Sequence, residues 1–454
     1  MKRIKHTYTR LVVAALLATT PLVVTEAQAM PVTAAAMAGT LIPVPSLPAV
    51  NPFKLVGQVL GLVGTSDKDV KNGKKVDPSY KFKATKVVNG GQTFKKELTN
   101  DKADQNVVLV QKKGKGTFKG ATLVKTGDST AIEKSLSRGR NAALLIAPYS
   151  QGEIKSVQIS TNGTGASGIV VSGKESRLKG QSVTVATEGA YARGLDVAYE
   201  GRMDINGGTV RTGGNYSPAL AIDREGGIMN VTGVNLRTEG TVSPLIYTTD
   251  AVTLTNSTGQ AARSEIAMIE GRSEVVLTRD RLTGAGNTGF MLYQSDMGIA
   301  KDGVAKLTVK DSDISLQGEG PLLTVHNTKS QVTLENTKIS MPNSATLAYV
   351  GAGPWGESGR KGAELSLKTT NQTLTGDIKA DSQSKVQVKM SGTNYTGAIN
   401  SDGQAKQMEL TLSKDSVWNV TDDSRLSKLN NEDKTNRNIH TNGHTVTVGN
   451  SILK

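Results

Sequence analysis

Apolar and polar positions alternate along most of this chain, and the alternation comes in blocks that repeat. Between Ala142 and Leu245 the segments Ile159-Ser160-Thr161-Asn162-Gly163, Val185-Ala186-Thr187-Glu188-Gly189, Val210-Arg211-Thr212-Gly213-Gly214 and Leu236-Arg237-Thr238-Glu239-Gly240 recur at spacings of 26, 25 and 26 residues. Five residues after each glycine a new apolar run starts, at Gly168, Gly194, Ala219 and Leu245. A period of two within a run is that of a strand with one face inward. A fixed period in the twenties, built from short strands and glycine turns, is the mark of a solenoid in which each repeat is one rung.

One rung cannot bury its own inner face, but stacked rungs can. Each strand pairs with its equivalents about 4.8 Å above and below, and the inward side chains form continuous ladders. Leu195 and Val197 are expected inside, Asp196 and Ala198 outside. The closely spaced leucines and repeated Asn of a leucine-rich repeat are missing, as is any helical stripe, so the prediction is an all-β parallel β-helix. After the regular core the rungs continue through Val252, Val275, Leu307, Val332, Leu365 and Val386, with insertions at 298–303 and 351–362. Residues 80–141 read as irregular opening rungs, 142–448 as the β-helix, and 449–454 as a tail. The expected total is ten to twelve rungs, a rod on the order of 50 Å long.

The start of the chain has a different character. Lys2, Arg3, Lys5 and Arg10 precede an apolar stretch from Leu11 to Val24, and Ala27-Gln28-Ala29 offers small residues for cleavage. Residues 1–29 therefore read as a secretory signal peptide. Residues 30–79, with Pro43, Pro45, Pro48 and Pro52, read as an Ala/Pro-rich and then basic linker, in which Leu55 to Val63 could form a short helix or an opening strand. No later run has the roughly 18–20 apolar residues of a membrane span, so the expectation is an exported protein, extracellular, surface-held or periplasmic. There is no cysteine, which excludes disulfides, thiolate metal sites and a lipoprotein anchor. The 49 Gly and 4% aromatic content fit many turns around a thin aliphatic core, and the net charge of +14 is spread along the chain. Basic runs at 71–75 and 112–119 lack stacking aromatics or a nucleic-acid fold motif, so nucleic acid is not an expected partner.

Candidate chemistry comes from counting along the strands. If strands start at Ala219, Ile266, Phe290 and Leu322, the fifth residues are Asp223, Glu270, Gln294 and His326, a polar row on one flank of the rod. Arg193, Asp196 and Arg224 stand beside it. Such a row could bind a sugar chain or a cation, or could be a salt-bridged corner where strands leave the core. The pair Asp422-Asp423 lies in the last rungs and reads as a cap turn. Phosphate-loop, nucleophile-elbow and His-Glu-x-x-His motifs are missing, and His440 and His444 fall on a turn and strand, so neither a cofactor nor a metal is expected.

The runs Ala192-Arg193-Gly194-Leu195-Asp196, Ala221-Ile222-Asp223-Arg224, Ile269-Glu270-Gly271, Tyr293-Gln294-Ser295 and His326-Asn327-Thr328-Lys329 resemble a family of secreted bacterial right-handed β-helix proteins of the pectate-lyase-like superfold. More loosely, Trp418 to Leu429 is similar to the junction of pertactin-like autotransporter passengers. The resemblance implies a right-handed β-helix and export. No strands of a membrane barrel follow Val448, so a translocator is expected on another polypeptide or is not used. The resulting expectation is a structural or adhesive surface module that is not an enzyme, with a cell-surface glycan or a host-surface protein as partner. The alternative is a polysaccharide-binding or polysaccharide-degrading protein, and oligomeric state is not readable.

Overall fold

The computed structural model describes residues 70–71, 74–75, 81–354 and 362–453. The signal peptide and most of the linker expected from the sequence lie outside these. What it describes from Lys81 onward is a right-handed parallel β-helix of about 14 turns. Successive turns pair in parallel along a 21-stranded sheet and a 12-stranded sheet.

The repeat read from the sequence is the register of the ladder. Ile159 pairs with Val185, Val185 with Val210, and Val210 with Leu236. On the other sheet Ile169, Leu195, Leu220 and Ile246 stand one above another. The inward column Leu178, Met203, Met229, Val252, Val275, Leu307, Val332, Leu367, Val388 and Leu410 runs almost the length of the rod. Each member is buried, and burial of one such side chain stabilises by roughly 1.5–3 kcal/mol.

Three features differ from expectation. The turn count is higher because the later rungs shorten, with only 21 residues from Leu367 to Val388 and 22 from there to Leu410, and because the strands Gly91–Phe94 and Lys115–Lys119 already pair in register. A seven-residue helix, Ile132–Arg138, interrupts the β pattern and ends at Gly139, whose φ of 70° suits a residue without a Cβ. It packs over the strands Ile169–Ser172 and Leu195–Ala198 of the 12-stranded sheet. Lastly, the middle strands of that sheet, from Leu144–Ile146 to Phe290–Tyr293, are closed on both sides. Strand Leu195–Ala198 is buried at all four positions, including Ala198 and Asp196, which alternation alone would turn to water.

The rod also changes cross-section. Five residues, 341–345, carry the chain from strand Lys338–Ser340 round to strand Thr346–Gly351 of the 12-stranded sheet. One rung later Gly376 alone joins Thr373–Thr375 to Asp377–Ala380. Its φ of 111° and a would-be Cβ only 2.8 Å from the Leu347 amide nitrogen leave room for glycine alone. Because that corner shrinks, strand 338–340 pairs with Asp313–Leu316 behind it but has no pairing with 373–375 ahead. The latter begins a separate four-stranded sheet.

Candidate functional site

The polar row read from the sequence lies on the outer side of the 12-stranded sheet. Glu270 pairs with Tyr293, and Tyr293 with His326. Asp223 falls in the same column, next after Ile222, which is aligned with Ile269 through Thr248. Gln294 is one place out. The aligned start is Gly289, opposite Leu322 and Ile266, so Tyr293 holds the position expected for Gln294. The expected exposure is also corrected: Asp223, Glu270 and Gln294 are buried and His326 half-buried, with Arg193, Asp196 and Arg224 buried beside them.

These residues form a closed network. Arg193 Nη1 donates to Asp223 at 2.5 Å, to Asp196 at 3.2 Å, and to the Leu136 carbonyl at 3.1 Å. That carbonyl lies in the last turn of the short helix, where a cation is favoured. The guanidinium also lies 5.8 Å from the centre of the Tyr247 ring. One buried cation serves two carboxylates, and the nearer one wins. Burial pushes Asp223 up, but the Arg193 charge and hydrogen bond outweigh it and hold Asp223 below its ordinary value, while burial keeps Asp196 well above. Arg224 donates its backbone N–H to Asp223 at 2.8 Å, and its side chain lies 3.7 Å from Glu133 of the helix. Two rungs on, Glu270 accepts from Tyr247 at 2.9 Å, from Tyr293 at 3.0 Å and from Ser295. Burial nonetheless raises its carboxyl. Gln294 donates to the Ser295 carbonyl at 3.0 Å, and His326 Nδ1 lies 3.2 Å from the Gly351 carbonyl. The network fastens the helix and a flanking turn to the sheet, and its carboxylates have protein donors.

The open site is elsewhere, at the step in cross-section. Up to the bend at Asn336 and Asn371 the two rungs are joined, the Asn371 side chain donating to that of Asn336 at 3.1 Å. Beyond it they part and leave a cleft of about 770 Å³. Ile339 faces inward like Ile314 and Leu374, which are 2% and 1% exposed, yet Ile339 is half-exposed because its neighbour ahead has moved away. Ile339, Met341 and Pro342 give the cleft an apolar floor, and Lys338, Thr373 and Thr375 contribute polar walls. Among the described residues the lining holds one cation and no carboxylate. An apolar floor with a few polar groups, in a volume within about 300–1,000 Å³, is the usual make-up of a small-ligand or oligomer site. Sequence reading missed it. The signal was the contrast between the five residues 341–345 and the single Gly376 at equivalent corners.

Near the end of the rod the ligand atoms of Asp422, Asp423 and His444 come within 4.8 Å of one another. The turn expected at Asp422-Asp423 is there, with Asp423 accepting from the Thr445 amide at 2.8 Å. His444 is an addition that the sequence did not bring to it.

No family model and no curated protein matches the chain, so the resemblance to autotransporter passengers gains no support. Among solved structures, the chain is similar to the catalytic domain of a GH87 alpha-1,3-glucanase in complex with tetrasaccharides. The identity is 13% and the TM-score 0.37, and the match covers 74% of this chain and 64% of that one. The expectation that the chain is not an enzyme does not stand against this likeness to a catalytic domain. The likeness concerns fold, and no substrate or residue role passes from that domain to this chain.

Proposed function

We propose that this is an exported polysaccharide-binding protein of β-helix fold, which holds an uncharged glycan chain in the cleft at the step between its wide and narrow rungs. The observation that carries the reading is the cleft itself. An apolar floor of Ile339, Met341 and Pro342 suits the CH faces of sugar rings, and the hydroxyls of Thr373 and Thr375 with the Lys338 ammonium suit their hydroxyl edges. None of the described lining residues is a carboxylate that would draw a cation or repel an acidic polymer. The basic n-region, apolar h-region and Ala27-Gln28-Ala29 support export. A structural or adhesive role has no such observation behind it and gives way to this reading.

Affinity electrophoresis of the mature protein through a panel of soluble uncharged and acidic polysaccharides tests this. An uncharged polymer should retard it, and Thr373→Tyr, which fills the cleft from an exposed position, should weaken retardation at least tenfold with the melting temperature unchanged. Retardation equal in wild type and variant would remove the cleft from the reading. Reducing ends released in the same samples would show that the bound polymer is also cut.

A further inference from the structure

The positive charge expected to be spread along the chain is gathered in the first rungs of the rod. Residues 81–187 carry 18 Lys and Arg against 7 Asp and Glu, whereas residues 188–454 carry 27 against 29. Much of that charge shares one surface. In the strands Lys115–Lys119, Gln151–Lys155 and Arg177–Thr187 of the long sheet, alternation turns Phe118, Ile154 and Leu178 inward and Lys115, Lys119, Lys155, Arg177 and Lys179 outward. All five cations are exposed. Register sets Lys119 beside Lys155, and Gln151 between Lys115 and Arg177. Lys95, also exposed, lies level with Lys119, because the preceding residues Phe94 and Phe118 are paired.

Like charges facing each other on neighbouring strands repel, and counter-charge on this face is scarce. Glu153 is the acid among the outward positions of these strands, and Lys115 holds it at 3.0 Å. Lys119, Lys155, Arg177 and Lys179 form no ion pair with a described residue. The remaining outward positions as far as Gln181 are Thr117, Gln151 and Gln181 itself, so the face carries no apolar or aromatic side chain. Two rungs beyond Arg177 the same surface is uncharged in the strands, with Asn230 and Thr232 and then Thr253 and Thr255.

We infer that this cationic face docks the rod on an anionic lipid bilayer, with acidic headgroup phosphates meeting its ammonium and guanidinium groups. The charges spread in two dimensions, about 13 Å along the strand from Lys115 to Lys119 and about 10 Å across from that strand to Arg177. A planar anionic surface meets all of them at once, whereas a single polymer strand follows one column and leaves the others unpaired. With no apolar side chain to insert, contact stays at the headgroups and is reversed by salt. With no aromatic side chain, the face offers no platform on which nucleobases could stack. The cleft at 336–375 lies on other rungs, and the docking face does not depend on it.

Co-sedimentation of the whole protein with phosphatidylcholine vesicles, with and without an equal part of phosphatidylglycerol, tests this. The protein should pellet with the acidic vesicles and stay in solution with the neutral ones, and roughly 1 M salt should release it. Lys119→Gln with Lys155→Gln should weaken binding at least about tenfold. Lys306→Gln with Lys428→Gln removes the same charge from exposed positions further along the sheet and should leave binding unchanged. Equal weakening by the two pairs would reduce the attraction to net charge and overturn the inference. No pelleting with the acidic vesicles, or equal pelleting with the neutral ones, would overturn it as well. Dextran sulfate that strips the protein from the vesicles at a lower charge concentration than that of the lipid would make a linear polyanion the better partner and would also sink it.

Discussion

The two sheets share the same rungs, yet over the middle rungs their outer faces differ. Strand Lys385–Ser391 of the long sheet alternates buried with exposed or half-exposed positions, whereas strand Leu195–Ala198 of the 12-stranded sheet is buried throughout. Inward alternation makes the solenoid, and what covers the outside decides how each polar residue behaves. On the open sheet, Asp and Arg stay hydrated and cost little. On the covered one the same residue types must be paired, and their pairing ties the helix Ile132–Arg138 to the rod.

The sharpest way to break this comparison is to remove the shared cation. Arg193→Ala leaves Asp196 buried without a counter-charge, leaves Asp223 only the charge of Arg224, and takes a donor from the helix carbonyl of Leu136. A loss on the order of 3–5 kcal/mol is expected by chemical denaturation, and a loss under about 1 kcal/mol would show that water reaches the network. Asp280 is the next test, because it is a buried carboxyl outside the covered sheet, at a bend of the long one. Burial pushes it up to about 6 in spite of the amides of Ser257 at 2.8 Å and Thr278 at 2.9 Å. A folded-state value above the unfolded one near 3.9 means that the native form binds more protons in between. Stability should therefore fall as pH rises from about 4 to about 6, by on the order of 2–3 kcal/mol. Asp280→Asn should flatten that part of the melting profile, and an unchanged slope would assign it to other groups. Val197→Ala, inside the rod, should cost about 1–3 kcal/mol through the cavity it leaves. A cost near zero in denaturant would put Val197 on the wrong side of its strand.

The inner ladder was legible from sequence because period-two alternation and a 25- to 26-residue spacing leave only one register, as the column from Ile159 to Leu236 shows. Register was lost where the position ahead of the strand is not apolar: Ala219, Ile266 and Leu322 each precede their strand by one residue, and at the equivalent place stands Gly289. Phe290 looks like a strand start, but Gly289 is the aligned position, and the slip exchanged Gln294 for Tyr293. Burial of Asp196, Asp223 and Glu270 was not legible, because alternation says which residues face out but nothing of what lies over them. The step cleft depends on a difference in corner length between two rungs, and a repeat-based reading averages over such differences. Nor could sequence spacing show that Arg193 ties Asp196 and Asp223, on neighbouring rungs, into one buried structural network.

The smallest expected effect is the most direct control on the comparison. On the open face of the long sheet Arg202 grips Asp204 with two hydrogen bonds of 2.9 Å, and Asn230 adds a third at 2.7 Å. This pair has better geometry than Arg193 with Asp196, whose oxygens lie 3.2 and 3.4 Å from Nη1. Geometry alone would therefore make Asp204 the costlier residue to lose. Solvent reverses the order, because the Arg202 and Asp204 side chains are 42% and 33% exposed and water takes over the partners left behind. Asp204→Ala should cost no more than about 1 kcal/mol, and the cost should shrink further in 1 M salt, where charges are screened within roughly 3 Å. The loss in Arg193→Ala should be unaffected by salt, since the pair it breaks is out of reach of ions. Equal costs for the two variants, or equal salt dependence, would mean that the two faces are not different solvents after all.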